Sequence, residues 1–203
     1  NASQLADMAP RLRDAGVNSV NISLDSLQAP RFKVITRTGD LDRVLEGIDA
    51  AIAQGIDRIR LNVVVLDGLN RDEVLPLTQF ALAKNIHISF IEEMPLGQVN
   101  VGGKPLAYVS SDALHAELSE HFCLEPLSAE DTAGPSRDYL ISGSTTRVGF
   151  ISPHSNNFCA QCNRLRLSAE GRLLMCLGNE KSIDLRALLR SDRSDDEIKT
   201  AII

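Results

Sequence analysis

The sequence predicts an α/β chain: a partial parallel (βα) barrel followed by an antiparallel β layer that carries a metal cluster. Three observations predict it. Strand-like and helix-like patterns alternate three times over residues 1–101, which implies parallel strands joined by right-handed crossovers. From Gly102 the alternation gives way to a helix, a connector containing Pro, Ser and Gly, and two hairpin patterns. Three of the four cysteines, Cys159, Cys162 and Cys176, fall within eighteen residues around the second hairpin. The expected division is 1–101 for the barrel part and 102–203 for the cluster region.

Taken in order, Ser3 can cap a helix whose Leu5, Met8, Ala9, Leu12 and Ala15 fall at helical spacing, with Gly16 as its stop and Pro10 as a kink. Val20, Ile22 and Leu24 then alternate with Asn21, Ser23 and Asp25, a strand with one apolar and one polar face. If helices cover the apolar side, the polar side faces a barrel lumen, and the carboxyl ends of such strands carry chemistry. Asp40 opens a helix with Leu41, Val44, Leu45, Ile48, Ala51 and Ile52, closed by Gly55. In the next strand Ile59, Leu61, Val63 and Val65 take one face, and Arg60 and Asn62 join Val64 and Leu66 on the other. Asn70 with Glu73 three residues on predicts the cap of a helix carrying Val74, Leu77, Ala81 and Leu82, distorted early by Pro76. The third strand, 86–91, runs into Glu92-Glu93-Met94-Pro95. Three such units do not close a barrel, so further strands are expected from outside this sequence.

In the second half, 111–122 reads as a helix through Leu114, Leu118 and Phe122, and 139–142 with 145–151 as a hairpin around Gly143-Ser144. Cys123 is expected as an inert core thiol. The second hairpin joins 164–167 to 172–176 through Ser168-Ala169-Glu170-Gly171. Folding about Ala169 would set Cys176 opposite Cys162, with Cys159 a short turn upstream. Three thiolates suit an iron-sulfur cluster with one open iron better than a structural zinc, which wants four closed ligands. Spacing leaves zinc open, with His154 as its fourth ligand. Arg164 and Arg166 share a strand parity, so both guanidiniums leave one face and ask for an anion. A short helix at 185–189 and an acidic tail finish the chain.

A formal charge of −6 on 203 residues argues against a general nucleic-acid binder, and 43% hydrophobic content supports a globular protein. No apolar run is long enough to span a bilayer and no export signal opens the sequence, so a cytoplasmic chain without membrane attachment is expected. Clustered cysteines there favour metal chemistry over disulfides. The opening at Asn1 within a strand-to-helix junction, and the end at Ile203 in a helical pattern, read as an internal fragment. Oligomeric state is left open, a homodimer being one option.

The run Cys159-Ala160-Gln161-Cys162-Asn163-Arg164-Leu165-Arg166-Leu167, followed by Cys176-Leu177, resembles the C-terminal cluster motif of the radical S-adenosylmethionine GTP 3',8-cyclase family of molybdenum cofactor biosynthesis. So do Asn21-Ile22-Ser23-Leu24-Asp25-Ser26, Glu46-Gly47-Ile48-Asp49-Ala50-Ala51 and Phe90-Ile91-Glu92-Glu93-Met94-Pro95, over nearly the whole chain. The resemblance implies a radical-SAM-type barrel. In the family, a first 4Fe-4S cluster cleaves S-adenosylmethionine to a radical that takes hydrogen from the GTP ribose C3', and the ring closes at guanine C8 to give 3',8-cyclo-7,8-dihydro-GTP. By motif, Cys159, Cys162 and Cys176 resemble the ligands of the second 4Fe-4S cluster and Arg164 and Arg166 the GTP contacts. Ser23 and Met94 match the S-adenosylmethionine contacts. Arg60 stands where the family usually has Lys, implying a substrate-side cation. Ser89 stands where the family commonly has Arg, implying a cation lost from the triphosphate side. The family's N-terminal Cys-x-x-x-Cys-x-x-Cys motif and C-terminal Gly-Gly are absent from this sequence, so the chain alone is expected to bind a cluster and GTP without cyclising it, and no catalytic residue is assigned. The alternatives are a non-catalytic zinc-binding module with an anion site, and a related radical enzyme with another substrate.

Overall fold

The computed structural model describes residues 2–94, 100–101, 104–105, 108–128, 135–155, 165–174, 182–191 and 193–202. They fall into two compact units, Asn1–Ala160 and Gln161–Ile203. The first unit contains α1 (Leu5–Asp14), β1 (Ser19–Ser23), α2 (Ala29–Thr36), α3 (Leu41–Ala53), β2 (Arg58–Val65), α4 (Val74–Ala83) and β3 (His87–Glu92). A two-stranded ladder of β4 (Asn100–Val101) and β5 (Lys104–Pro105), then α5 (Ser111–Ser119), β6 (Leu124–Pro126), β7 (Arg137–Ile141) and β8 (Arg147–Ile151), complete it.

Six of these strands make one sheet in the order β1-β2-β3-β8-β7-β6. The first four are mutually parallel, and β7 and β6 are added antiparallel. Register explains the choice of partners. Ile22, Leu61, Ile88 and Val148 stand in one cross-strand row, and Val63, Phe90 and Phe150 in the next. All seven are buried under Val44 and Ile48 of α3, Leu77 and Ala81 of α4, and Leu114 and Leu118 of α5. At roughly 1.5–3 kcal/mol for each large apolar side chain buried, these rows outweigh any local preference of the strands.

The three strands predicted before residue 101 and the helix from Asp40 stand as read, and Asp40 caps α3 by accepting from the Arg43 N–H at 3.4 Å. Other expectations change. The hairpin of β7 and β8 does not form a separate antiparallel layer, because Val148 and Phe150 continue the apolar rows and place β8 beside β3. The sheet therefore runs through the division expected at residue 101. Helix α2, with Pro30 in its first turn and Phe32 buried, had no counterpart in the sequence reading. Cys123 is exposed, not a core thiol. Helix α5 ends at Ser119, and Cys123 lies in the turn that leads to β6, the outermost strand.

In the second unit β9 (Arg166–Leu167), β10 (Arg172–Leu174) and β11 (Ser182–Asp184) form an antiparallel sheet in the order β11-β10-β9. Leu173 faces Leu167 and Leu174 faces Arg166, so the hairpin folds about Glu170 and not Ala169. Helix α6 (Leu185–Leu189) is capped by Asp184, which accepts from the Ala187 N–H at 2.8 Å. Ser194 and Glu197 form a reciprocal capping box at the start of α7 (Asp195–Ile202).

Gly47 of α3 is where α1 comes closest: a Cβ there would lie 2.6 Å from the Ala2 carbonyl oxygen and 3.0 Å from Leu5 Cβ. Gly47→Val should lower unfolding free energy by about 1–3 kcal/mol through overpacking, read from urea denaturation, while the solvent-side change Glu46→Ala leaves it within about 0.5 kcal/mol.

Candidate functional site

The face of the first sheet opposite the helices carries two polar rows, followed towards the strands' carboxyl ends by an apolar row of Val64, Ile91 and Ile151. One cross-strand row reads Ser23, Asn62, Ser89, Gly149 and Asp138, and the row before it holds Asn21, Arg60 and His87. Strand alternation dictates this, since the apolar neighbours of each residue point into the core.

The centre of the face is an ion pair. Arg60 Nη1 donates to Asp138 Oδ1 at 2.9 Å and Nη2 to Oδ2 at 2.6 Å, a two-pronged contact, and Nη1 also donates to Ser89 Oγ at 2.9 Å. Ser136 Oγ donates to Asp138 Oδ1 at 2.5 Å. Gly149 makes room for the cluster: a Cβ there would overlap Ser136 Oγ, Asp138 Oδ1 and Ser89 Oγ. Burial alone would raise the Asp138 carboxyl, but the Arg60 and Ser136 hydrogen bonds and the Arg60 charge outweigh it and hold its pKa below the ordinary range. His87 is pushed down to about 4, first by burial and then by the charges of Arg60 and Arg147. It is neutral near pH 7, and its Nδ1 accepts the Arg147 N–H at 3.2 Å.

The rim at the strands' carboxyl ends is built by side chains that satisfy loop backbone. Asn70 Oδ1 accepts from the Leu66 N–H, and Nδ2 donates to the Asp25 and Val64 carbonyls, each at 2.9 Å. Glu73 accepts from Ser26 Oγ, the Leu27 N–H and Arg31 Nη1, each at 2.6 Å. These two residues were read as a helix-capping pair. They instead reach back to the loop after β1, because both are buried beneath it. Asp25 accepts from the Val64 N–H at 2.8 Å, and burial raises its carboxyl above the usual range against that bond. Glu92, 1% exposed, accepts from the Ser111 N–H at 2.7 Å, the His154 and Ser155 N–H groups at 3.0 Å and Ser155 Oγ at 2.5 Å. Burial would raise its carboxyl, yet these bonds together bring the pKa below normal.

Of the residues singled out in the sequence, Ser23 ends β1 on the polar face and Met94 follows β3, so both belong to the carboxyl rim. Arg60 lies on the same face, its side chain 21% exposed and its fork turned onto Asp138. Contacts with described residues use three of its five N–H groups. Ser89 is fully buried, and the guanidinium beside it comes from Arg60 on the neighbouring strand, so the face keeps a cation there. Arg166 is exposed on β9, and Leu165 and Leu167 are exposed as well. Cys159, Cys162, Cys176 and Arg164 lie outside the described residues. Among the described residues no group of three or more His, Cys, Asp or Glu could hold a metal ion. His154, the alternative zinc ligand, stacks on Tyr108 with ring centroids 5.0 Å apart. A cleft of about 340 Å³ lined by Ile56, Asp57, Lys84 and His87, among others, opens at the amino ends of β2 and β3, away from this rim. Asn70, Glu73, Glu92 and Asp138 were not singled out as site residues. Asn70 and Glu73 gave only a helix-capping spacing, Glu92 only a place in the run from Phe90 to Pro95, and no local pattern marked Asp138.

Two family models match the chain: Radical SAM superfamily over residues 1–81 and Molybdenum Cofactor Synthesis C over residues 86–203. It is 54% identical over 196 residues to a GTP 3',8-cyclase of Pseudomonas entomophila, covering 96% of this chain and 58% of that relative. It is 51% identical over 204 residues to one of Marinobacter nauticus, covering 100% of this chain and 62% of that relative. It is 56% identical over 191 residues to the Pseudomonas aeruginosa protein named GTP 3',8-cyclase 1, covering 94% of this chain and 57% of that relative. The chain thus spans about three-fifths of the length of the relatives it matches.

The histidine makes the polar face acid-sensitive. Its pKa is about 4 folded against an ordinary 6.5, so the unfolded chain binds the proton first. The stability held by neutral His87 is complete above about pH 6.5 and is lost as pH falls towards about 4. Urea midpoints measured across that range should fall for the wild type and fall less for His87→Gln, which keeps an acceptor but does not titrate.

Proposed function

The chain belongs to the family described as Molybdenum Cofactor Synthesis C, and on that premise we propose that it is the GTP-binding and second-cluster portion of a GTP 3',8-cyclase. The reaction would be the radical S-adenosylmethionine cyclisation of GTP to 3',8-cyclo-7,8-dihydro-GTP in the cytoplasm. The observation that carries the proposal is the run Cys159, Cys162, Asn163, Arg164, Arg166 and Cys176 inside the region matched by that family model.

The donor set is three thiolates, which fits an iron-sulfur cluster with one iron left open to another ligand. Cys159, Cys162 and Cys176 would hold it. When bound, such a cluster supplies a Lewis-acidic iron that a substrate heteroatom can occupy. Arg164 and Arg166 would grip GTP, as guanidiniums suit phosphate and purine acceptors. In the first unit, Arg60 is a further substrate-side cation, acting through the N–H groups not turned to Asp138. Ser23 and Met94, on the carboxyl rim of a radical-SAM-type barrel, would contact S-adenosylmethionine. Two regions are proposed, 1–101 contributing to the barrel and 102–203 to the cluster and GTP, with β6, β7 and β8 of the second region completing the sheet of the first. No Cys-x-x-x-Cys-x-x-Cys run occurs in this sequence, so the isolated chain would bind GTP without cyclising it.

Anaerobic reconstitution with iron and sulfide, beside a zinc control, should give about four irons and four sulfides per chain, and GTP should shift the cluster spectrum. Arg164→Ala and Arg166→Ala should each weaken GTP binding by roughly tenfold, about 1.4 kcal/mol, with iron content unchanged. One tightly held zinc without response to GTP, or unaltered GTP binding in both variants, would overturn the proposal.

A further inference from the structure

The Glu92 carboxylate joins three stretches of chain: the end of β3, the first residue of α5 and the turn after β8. It makes no ion pair among the described residues. Among those residues its donors are neutral, two on each oxygen: the Ser111 N–H and Ser155 Oγ on Oε1, the His154 and Ser155 N–H groups on Oε2. An unpaired buried carboxylate is costly to keep unless its donors are fixed in place.

What the arrangement fixes is the path of the chain after β8. Pairing of β3 with β8 runs as far as Ile91 and Ile151. Strand register therefore places the backbone only to residue 151. The carboxylate carries that hold on through His154 and Ser155, and Ser155 is four residues before Cys159. We propose that Glu92 is a positioning residue for the cysteine segment, anchoring its entry to the carboxyl end of β3 so that Cys159 meets its metal from a fixed starting point. This rests on the reading of Cys159, Cys162 and Cys176 as cluster ligands.

Only a carboxylate accepts all four bonds. A glutamine can keep three, its oxygen taking the His154 and Ser155 N–H groups and its NH2 donating to the reversed Ser155 hydroxyl, so alanine is the change that releases both amides. Ser155→Ala removes one bond and keeps the other three.

Two readouts on the full chain test this. In the metal-free protein, Glu92→Ala should speed hydrogen exchange at the His154 and Ser155 amides by at least about tenfold, while Ile88 and Phe90 of β3 exchange as in the wild type. In the reconstituted protein it should release iron to a chelator several-fold faster than Gly47→Val, a variant destabilised away from this segment. Ser155→Ala should move both readouts the same way by less, and it decides the matter if Glu92→Ala does not fold. Iron held equally tightly by the wild type and the folded variants overturns the inference alone. A wild-type chain that takes up no iron overturns the cluster reading and the inference with it.

Discussion

Parallel strands end with backbone groups that have lost their ladder partners, and in this protein those groups are met by side chains. Asn70 spans the gap between the loops after β1 and β2, Glu73 holds the loop after β1, and Glu92 holds the turn after β8. A buried N–H or carbonyl left unmatched costs on the order of 1–3 kcal/mol, so each of these residues does more than decorate a loop. Their shared property is reach: the bonds of Glu73 and Glu92 join residues 19 to 63 apart in the chain. The rim is thereby a fixed frame, and the polar face of the sheet opens within it.

The pair of Arg60 and Asp138 has a different role. Replacing such a pair with apolar residues is often neutral or stabilising, whereas removing one partner is costly. Stability alone therefore does not account for it. Its geometry accounts for more: a fork from β2 crosses β3 and β8 to grip β7, and Gly149 leaves space for the crossing. Slippage of the β7–β8 hairpin by one residue would turn Asp138 into the helix layer and leave Arg60 without its partner. The pair thus sets register across the mixed sheet while keeping a guanidinium on its open face.

The parts of this structure visible in the sequence are those with local causes. Alternation along β2 and the spacing of Leu41, Val44 and Ile48 were enough to place a strand and a helix. The cysteine spacing points to metal chemistry by itself, but Cys159, Cys162 and Cys176 lie outside the described residues. Helix α2 escaped because only Phe32 anchors it to the core, too few apolar positions for a period to show. The Asn70 and Glu73 spacing fits a helix cap, but no local pattern reveals that both side chains reach the loop after β1. The hairpin of β7 and β8 was legible, but its place beside β3 was not, since it is fixed by rows shared with strands some 60 residues away. Glu92 looked like one acid of a pair at a strand end, and its four donors come from two later segments.

The span of the Arg60–Asp138 bond has a consequence for biosynthesis. The partners are 78 residues apart, and a ribosome adding about 5–20 residues per second needs roughly 4–16 s to make that length. For the last part of that interval and until β8 is made, from Glu92 to Arg147, β3 is complete with its β8 side open, and Arg60 is unmatched by Asp138 until residue 138 is made. That exposed edge invites pairing with another nascent chain. The C-terminal hairpin acts as a late-arriving guard, and the interval before its synthesis is when a chaperone would be of most use to this polypeptide.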